Sequence, residues 1–249
     1  MNIKKIQNKI RFKLKMWFKF IFILPDYFTF RSKDISKHCV FSIWNVYPCL
    51  TDKTKKTHFE KQYIYHSAWA VRCIKNINPQ LHSDFGSILY FSTILSAFIP
   101  VDFYDYRVAN IELSNLKSKF SDLTNIKIES NSLLSVSCMH TIEHVGLGRY
   151  GDPIDPEGDL KAISELKRIT KKNGALLIVV PIGRIQSVVF NAHRIYEYNK
   201  FISYFDGFEL VEFSYIPEED NRGGIIINTS GNIVENDTLG CGCFWFKKK

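Results

Sequence analysis

The sequence predicts an α/β fold: a mostly parallel sheet with a C-terminal antiparallel strand, preceded by a basic helical N-terminal extension. Three observations predict it. From residue 79 onward, short apolar runs alternate with amphipathic stretches, the pattern of strands joined by crossover helices. Leu133–Met139 and Ala175–Val180 are apolar-dominated runs of strand length, as expected of strands covered on both faces. Between them, Asp159 opens a stretch that puts Leu160, Ile163, Leu166 and Ile169 on one face of a helix.

The 249 residues are enough for one sizeable core, and a hydrophobic fraction of 45% excludes wholesale disorder. The formal charge of +8 is uneven: the first twenty residues hold seven Lys or Arg and no acid, and the chain ends in three lysines. Positive tails on a mixed middle predict an anionic partner for the tails. They do not predict a nucleic-acid groove, since no recognised basic motif accompanies the charge. A helix carrying Phe12, Leu14, Trp17, Phe18 and Ile21 has two readings. It lies on an anionic membrane surface, or it docks on the main domain. No run reaches the roughly 20 apolar residues of a spanning helix. Trp17–Leu24 is short, broken by Lys19, and lacks a cleavage site. The expected location is therefore cytoplasmic, with peripheral contact at the inner face of the membrane.

Residues 1–78 form the predicted extension and 79–249 the domain. A helical pattern over His58–Asn76 ends at Asn78-Pro79. The first strand, Leu81–Phe85, is polar for a buried strand and stops at Gly86-Ser87. A helix through Leu89, Phe91, Leu95 and Phe98 follows, then strands at Val101–Tyr106 and Ile126–Ile128, then Leu133–Met139. The helix after Asp159 carries Lys167, Arg168, Lys171 and Lys172 in its last turns, complementing the helix dipole, and closes at Asn173-Gly174. Another helix is predicted at Tyr196–Phe205. Phe208–Tyr215 and Cys241–Phe246 make a closing strand pair. The six cysteines show no Cys-x-x-Cys spacing, so they are expected to be reduced, buried thiols, and no residue is assigned to a metal.

In an open parallel sheet, ligands bind beyond the carboxyl ends of the strands. Asp84 and Gly86 follow the first strand, Asp105 ends the second, and the loop from His140 follows Leu133–Met139. A glycine there lets backbone approach a ligand, an acid at the second strand end can accept from both hydroxyls of a ribose, and Asp122 sits where an acid could accept from an adenine amino group.

Asp84-Phe85-Gly86-Ser87, Asp105, Asp122 and the stretch Leu133–Pro181 resemble Rossmann-like class I S-adenosylmethionine-dependent methyltransferases. Ala162–Pro181 looks like that class's helix, glycine turn and fifth strand. The resemblance implies S-adenosylmethionine as cofactor, bound by Asp84, Gly86, Asp105 and Asp122, with Gly86 at the methionine moiety. A closer likeness lies in His140–His144, Gly146–Pro156, Asn191–Arg194 and Gly240–Phe246. These strings are similar to domain-of-unknown-function family 268, whose members commonly occur among bacterial surface-polysaccharide genes. The first strand departs from the methyltransferase pattern in carrying His82 and Ser83, and its turn has one glycine rather than two.

Methyl transfer needs an acceptor held in line and a base for its proton. Candidate bases are His140, Glu143, His144 and His193, with a packing role as the alternative for His140 and His144. Arg149, Tyr150, Asp152, Asp155, Asn191 and Arg194 are candidates for a sugar or phosphate. Alternatively, the loop folds by internal Asp–Arg pairing. The expected substrate is a glycan or sugar-linked precursor. A non-catalytic methyltransferase-like subunit of a glycan assembly complex competes with this reading. A third reading, a nicotinamide-dependent enzyme, shares the acid after the second strand, but the missing Gly-x-Gly-x-x-Gly argues against it.

Overall fold

The computed structural model describes residues 18–235 and 237–249. The chain divides into two compact units, Met1–Phe59 and Glu60–Lys249.

In the first unit, a short 3-10 turn at Ile21–Ile23 leads into helix α1, Leu24–Lys33. Pro25 stands in its first turn, where a missing N–H costs nothing. Tyr27 is buried, stacked on Phe41 at 4.7 Å and edge-on to Phe20 at 5.6 Å. Most of the predicted basic helix, Phe12, Leu14 and Trp17 included, lies outside the described residues; Phe18 and Ile21 are exposed. Among the described residues no helix is long and apolar enough to cross a membrane. Cys39 and Cys49 are exposed, contrary to the expectation of six buried thiols; all six cysteines are free.

The second unit is built on a seven-stranded sheet of order β3-β2-β1-β4-β5-β9-β8. Its strands are β1 His82–Phe85, β2 Val101–Asp105, β3 Leu116–Phe120, β4 Leu133–Met139, β5 Thr170–Ile182, β8 Phe208–Pro217 and β9 Gly240–Lys248. A separate hairpin pairs β6, Ser187–Val189, with β7, His193–Ile195. Strands β1 to β5 pair in parallel, and β9 runs antiparallel between β5 and β8. The sheet is thus mostly parallel with a C-terminal antiparallel strand. Strand order reverses between β1 and β4, which opens a crevice beyond their carboxyl ends.

Helix α2, Lys61–Ile77, buries Trp69, Ala70, Cys73 and Ile74 on one side of the sheet, beside Phe91 and Leu95 of α3, Leu89–Leu95. The other side is covered by Ile163, Leu166 and Ile169 of α4, Gly158–Ile169, and by Phe201 of α5, Tyr198–Ser203. The sequence put the boundary at residue 78; the division lies at Glu60, because α2 packs as one layer of the domain. Glu212 of β8 secures it, accepting from Trp69 Nε1 at 2.7 Å, Arg72 Nη2 at 2.5 Å and Ser214 Oγ at 2.7 Å.

Three local expectations change. The third strand is Leu116–Phe120, not Ile126–Ile128. Ile126 is buried like a strand residue, but its N–H goes to Glu165 Oε2 at 2.7 Å and its carbonyl to Arg168 Nη2 at 2.8 Å. Helix side chains thus take the place of a ladder. Helix α4 stops at Ile169, before Asn173-Gly174, because Thr170 turns extended and pairs with Leu133. Lys248 from β9 then donates to the carbonyls of Lys167 and Thr170, each at 2.8 Å. Finally, the polar first strand is fully buried because β4 supplies partners. His82 Nδ1 and Nε2 each lie 2.8 Å from a hydroxyl, those of Ser135 and Ser137.

Candidate functional site

The crevice is an open cleft of about 910 Å³, counting the space at its mouth. Its floor comes from the ends of β1 and β2: Phe85 and Gly86, then Tyr104 and Asp105. Phe85 and Tyr104 stack at 4.7 Å and 10°, with Phe85 wholly buried. Ser121, Asp122, Leu123 and Thr124 after β3 line one wall; His140, Thr141, His144 and the loop Val145–Asp155 line the other.

Gly86 holds φ +71°, and a Cβ there would fall 2.6 Å from Thr141 Cγ2. Its N–H bonds the Tyr104 carbonyl at 2.7 Å, and Thr141 Oγ1 donates to the Gly86 carbonyl at 2.9 Å. Only glycine fits this left-handed turn pressed against the β4 loop. Asp105 Oδ1 accepts from the Arg107 N–H at 2.7 Å, and among the described residues its second oxygen has no hydrogen bond. Asp122 Oδ1 accepts from the Thr124 N–H and hydroxyl at 2.8 and 2.7 Å. Each carboxylate is therefore fixed by one oxygen.

Asp84 does not line the cleft. It is wholly buried beneath the turn, accepting from Ser87 and Ser137 at 2.6 Å and from Ser92. Burial raises its carboxyl to about 6, against the lowering effect of those hydroxyls. The Ser87 oxygen also takes the Met139 N–H at 3.0 Å, which ties the turn to β4. Burial lowers His82 to about 3, so its ring is neutral.

The four candidate bases separate. His140 adopts φ +54° directly after β4, with Nδ1 2.9 Å from Glu143 Oε1 and Nε2 3.3 Å from Cys241 Sγ. Glu143 is buried under the wall, and its Oε2 has no partner among the described residues. His144 donates Nδ1–H to the Ala192 carbonyl at 2.6 Å, so Nε2 keeps its lone pair. Burial, outweighing the pull of Glu143 and Ala192, lowers its basicity and favours the neutral ring. His193 sits in the β6–β7 hairpin, outside the cleft lining.

The loop residues also divide. Asp152 Oδ2 accepts from the Gly146 N–H at 2.8 Å and Oδ1 from the Tyr150 N–H at 3.1 Å; Asp155 binds Lys161 at 2.6 Å and the Glu157 N–H at 3.1 Å. Both line the cleft while folding the loop on itself. Gly146, at φ +78°, has the Asp155 carbonyl where a Cβ would stand. Arg194 is buried, donating to the carbonyls of Val145 at 2.6 Å and Pro156 at 3.1 Å, with Nε 3.4 Å from Asp159. Its guanidinium is engaged within the protein rather than offered to a phosphate. Asn191 Nδ2 donates to the Leu147 carbonyl at 3.3 Å, also outside the lining. Tyr150 stands at the mouth with Arg107 4.3 Å and Arg149 5.2 Å from its ring centre. Arg107 was not singled out from the sequence, since nothing in its local pattern shows that its loop turns into the cleft.

Behind the His140 wall, His66, His140 and Cys241 bring one donor atom each to within 4.8 Å of one another. The sequence assigned no metal ligands. These three stand on α2, after β4 and at the start of β9, so no short spacing could reveal them.

The family described as Caenorhabditis protein of unknown function, DUF268, matches residues 92–232. No curated protein matches the chain in sequence. Among solved structures, the chain is similar to a possible histamine N-methyltransferase of Thermotoga maritima, described as S-adenosylmethionine-dependent. Identity is 15%, the TM-score 0.51, and the match covers 75% of this chain and 91% of that one. It is similar to a geranyl diphosphate methyltransferase in complex with S-adenosylmethionine at 11% identity and TM-score 0.53, over 74% and 85% of the two chains. The YcgJ protein of Bacillus subtilis matches at 11% identity and TM-score 0.53, over 75% and 99%. The shared fold is the Rossmann-like class I methyltransferase sheet.

Proposed function

This chain belongs to the DUF268 family, and from that membership, its fold and its cleft we propose that it is an S-adenosylmethionine-dependent methyltransferase. The observation that carries the reading is the alignment of Gly86, Asp105 and Asp122 along one cleft at the ends of β1, β2 and β3. Gly86 lets the turn pack against Thr141 beside the cleft, Asp105 keeps an oxygen for a ribose, and the rings of Phe85 and Tyr104 in the lining suit an apolar moiety. When bound, the cofactor's sulfonium supplies the reactive methyl group.

The chain's own part is to hold the acceptor and take its proton. His144 is the base in this reading, because it lines the cleft with Nδ1–H anchored on the Ala192 carbonyl, which leaves the lone pair on Nε2, 3.7 Å from Glu143 Oε1. His140 has both ring nitrogens engaged. The acceptor is a sugar of a surface polysaccharide or its nucleotide- or lipid-linked precursor. Arg107, in the cleft lining beside Tyr150, supports a phosphate-bearing precursor, since a guanidinium there attracts such a group; Arg149, on the same ring, already donates to the Ala192 carbonyl. The non-catalytic reading drew on the basic leader and the polar first strand; β4 supplies hydrogen-bond partners for that strand, and most of the leader's basic helix lies outside the described residues.

Calorimetry with S-adenosylmethionine tests the proposal. Wild type is expected to bind, and Asp105→Ala to bind at least about tenfold more weakly, a loss of about 1.4 kcal/mol. No heat from folded wild type overturns it. His144→Ala is expected to retain cofactor binding while losing transfer to sugar-phosphate acceptors.

A further inference from the structure

We propose that His66, His140 and Cys241 form a binding site for a zinc ion, in the wall behind the cleft. The three donor atoms lie within 4.8 Å of one another, and the His140 Nε2 to Cys241 Sγ distance is 3.3 Å. Zn–S bonds of about 2.3 Å and Zn–N bonds of about 2.0–2.1 Å in a tetrahedron separate neighbouring donors by comparable distances. The ligands would close on the ion by small side-chain movements.

Two further observations point to a cation. His66 is fully buried, and among the described residues neither ring nitrogen makes a hydrogen bond of good geometry, although the Cys241 thiol lies close enough to interact with the ring. A buried orphan of this kind costs about 1–3 kcal/mol, and a metal bond satisfies it. His140 hands its Nδ1–H to Glu143 at 2.9 Å, which leaves Nε2, facing Cys241 Sγ, as the nitrogen to bind a metal. A carboxylate behind a histidine in this way is the usual support of a metal-bound imidazole. Two imidazoles and a thiol, without a direct carboxylate, suit Zn²⁺ rather than Mg²⁺ or Ca²⁺. The left-handed backbone at His140, φ +54°, is the local strain that brings its ring into the cluster. An ion here would join α2, the end of β4 and β9.

The test uses the full chain with Cys39→Ser and Cys49→Ser, which remove the exposed thiols, reduced and stripped by a chelator. Titration with Zn²⁺ against a chromophoric chelator should give one ion per chain and a rise in melting temperature. Co²⁺ should give a thiolate-to-cobalt charge-transfer band. Cys241→Ser should abolish that band and His66→Gln should lower Zn²⁺ affinity at least about tenfold. Glu143→Gln should weaken binding about 10- to 100-fold while keeping the band. No stoichiometric zinc, or a Co²⁺ complex without the charge-transfer band, overturns the proposal in the parent protein, even if the variants fail to fold. So does unchanged affinity in a folded Cys241→Ser or His66→Gln chain. None of these readings depends on methyl transfer.

Discussion

Ser137 donates its hydroxyl to Asp84 at 2.6 Å, and this forces the direction of the buried chain behind it. With its proton spent, Ser137 accepts from His82 Nε2–H, and His82 Nδ1 accepts from Ser135. Two titrations of opposite sign follow. Asp84 is raised from 3.8 to about 6, so folding stability falls as pH rises through that window. His82 is lowered from 6.5 to about 3, so stability rises with pH through its own window. Asp84→Asn should therefore steepen the rise between pH 4 and 6, by up to about 1.4 kcal/mol per pH unit. His82→Asn should expose the fall. Denaturant unfolding across pH 3 to 7 checks both signs.

Gly86→Ala should destabilise the chain by about 1–3 kcal/mol and cost cofactor affinity, because a positive φ and the Thr141 methyl both oppose a Cβ. Adding Thr141→Ser, which removes that methyl and keeps the hydroxyl, should return part of the lost stability but none of the φ penalty. Melting temperatures of the single and double variants measure the coupling.

Arg194→Met should cost about 3–5 kcal/mol, since it leaves Asp159 buried without its cation and frees the carbonyls of Val145 and Pro156. Arg194→Lys should recover little, because one ammonium cannot span the same acceptors. Proteolysis of the 145–156 loop, measured alongside unfolding, should accelerate in both.

Glu212→Ala should loosen α2 by about 2–4 kcal/mol, stranding Trp69 Nε1 and Arg72. Burial alone would raise the Glu212 carboxyl, but hydrogen bonds from Arg72, Ser214 and Trp69 outweigh it and hold it below its usual 4.5. The wild type should therefore lose this contribution as pH falls below about 4.5, and the variant should not. Tryptophan fluorescence of Trp69 during acid titration reports it.

The strand ends were legible because each is a local event: a run of strand length ends on Asp105, or just before Gly86 or His140. Leu116–Phe120 was missed because an edge strand of alternating charge, Lys117 and Lys119, looks like a loop, while Ile126 looks like a strand by burial alone. Arg194 was read as a ligand because a sequence shows a guanidinium's chemistry, not whether it points inward. His66 and Cys241 were beyond reach for a different reason. Their meeting depends on α2 packing on one side of the sheet while β9 threads between two earlier strands.

That threading also sets an order of biosynthesis. β8 emerges from the ribosome before β9, yet it touches β5 only through β9, so it has no place in the sheet when it is made. β1 to β5 can assemble and shape the cleft while the chain is still growing. Cys241 and the Lys248 clasp on α4 arrive together, with the last strand. A nascent chain can thus present a nearly finished cleft before His140 has acquired its sulfur neighbour.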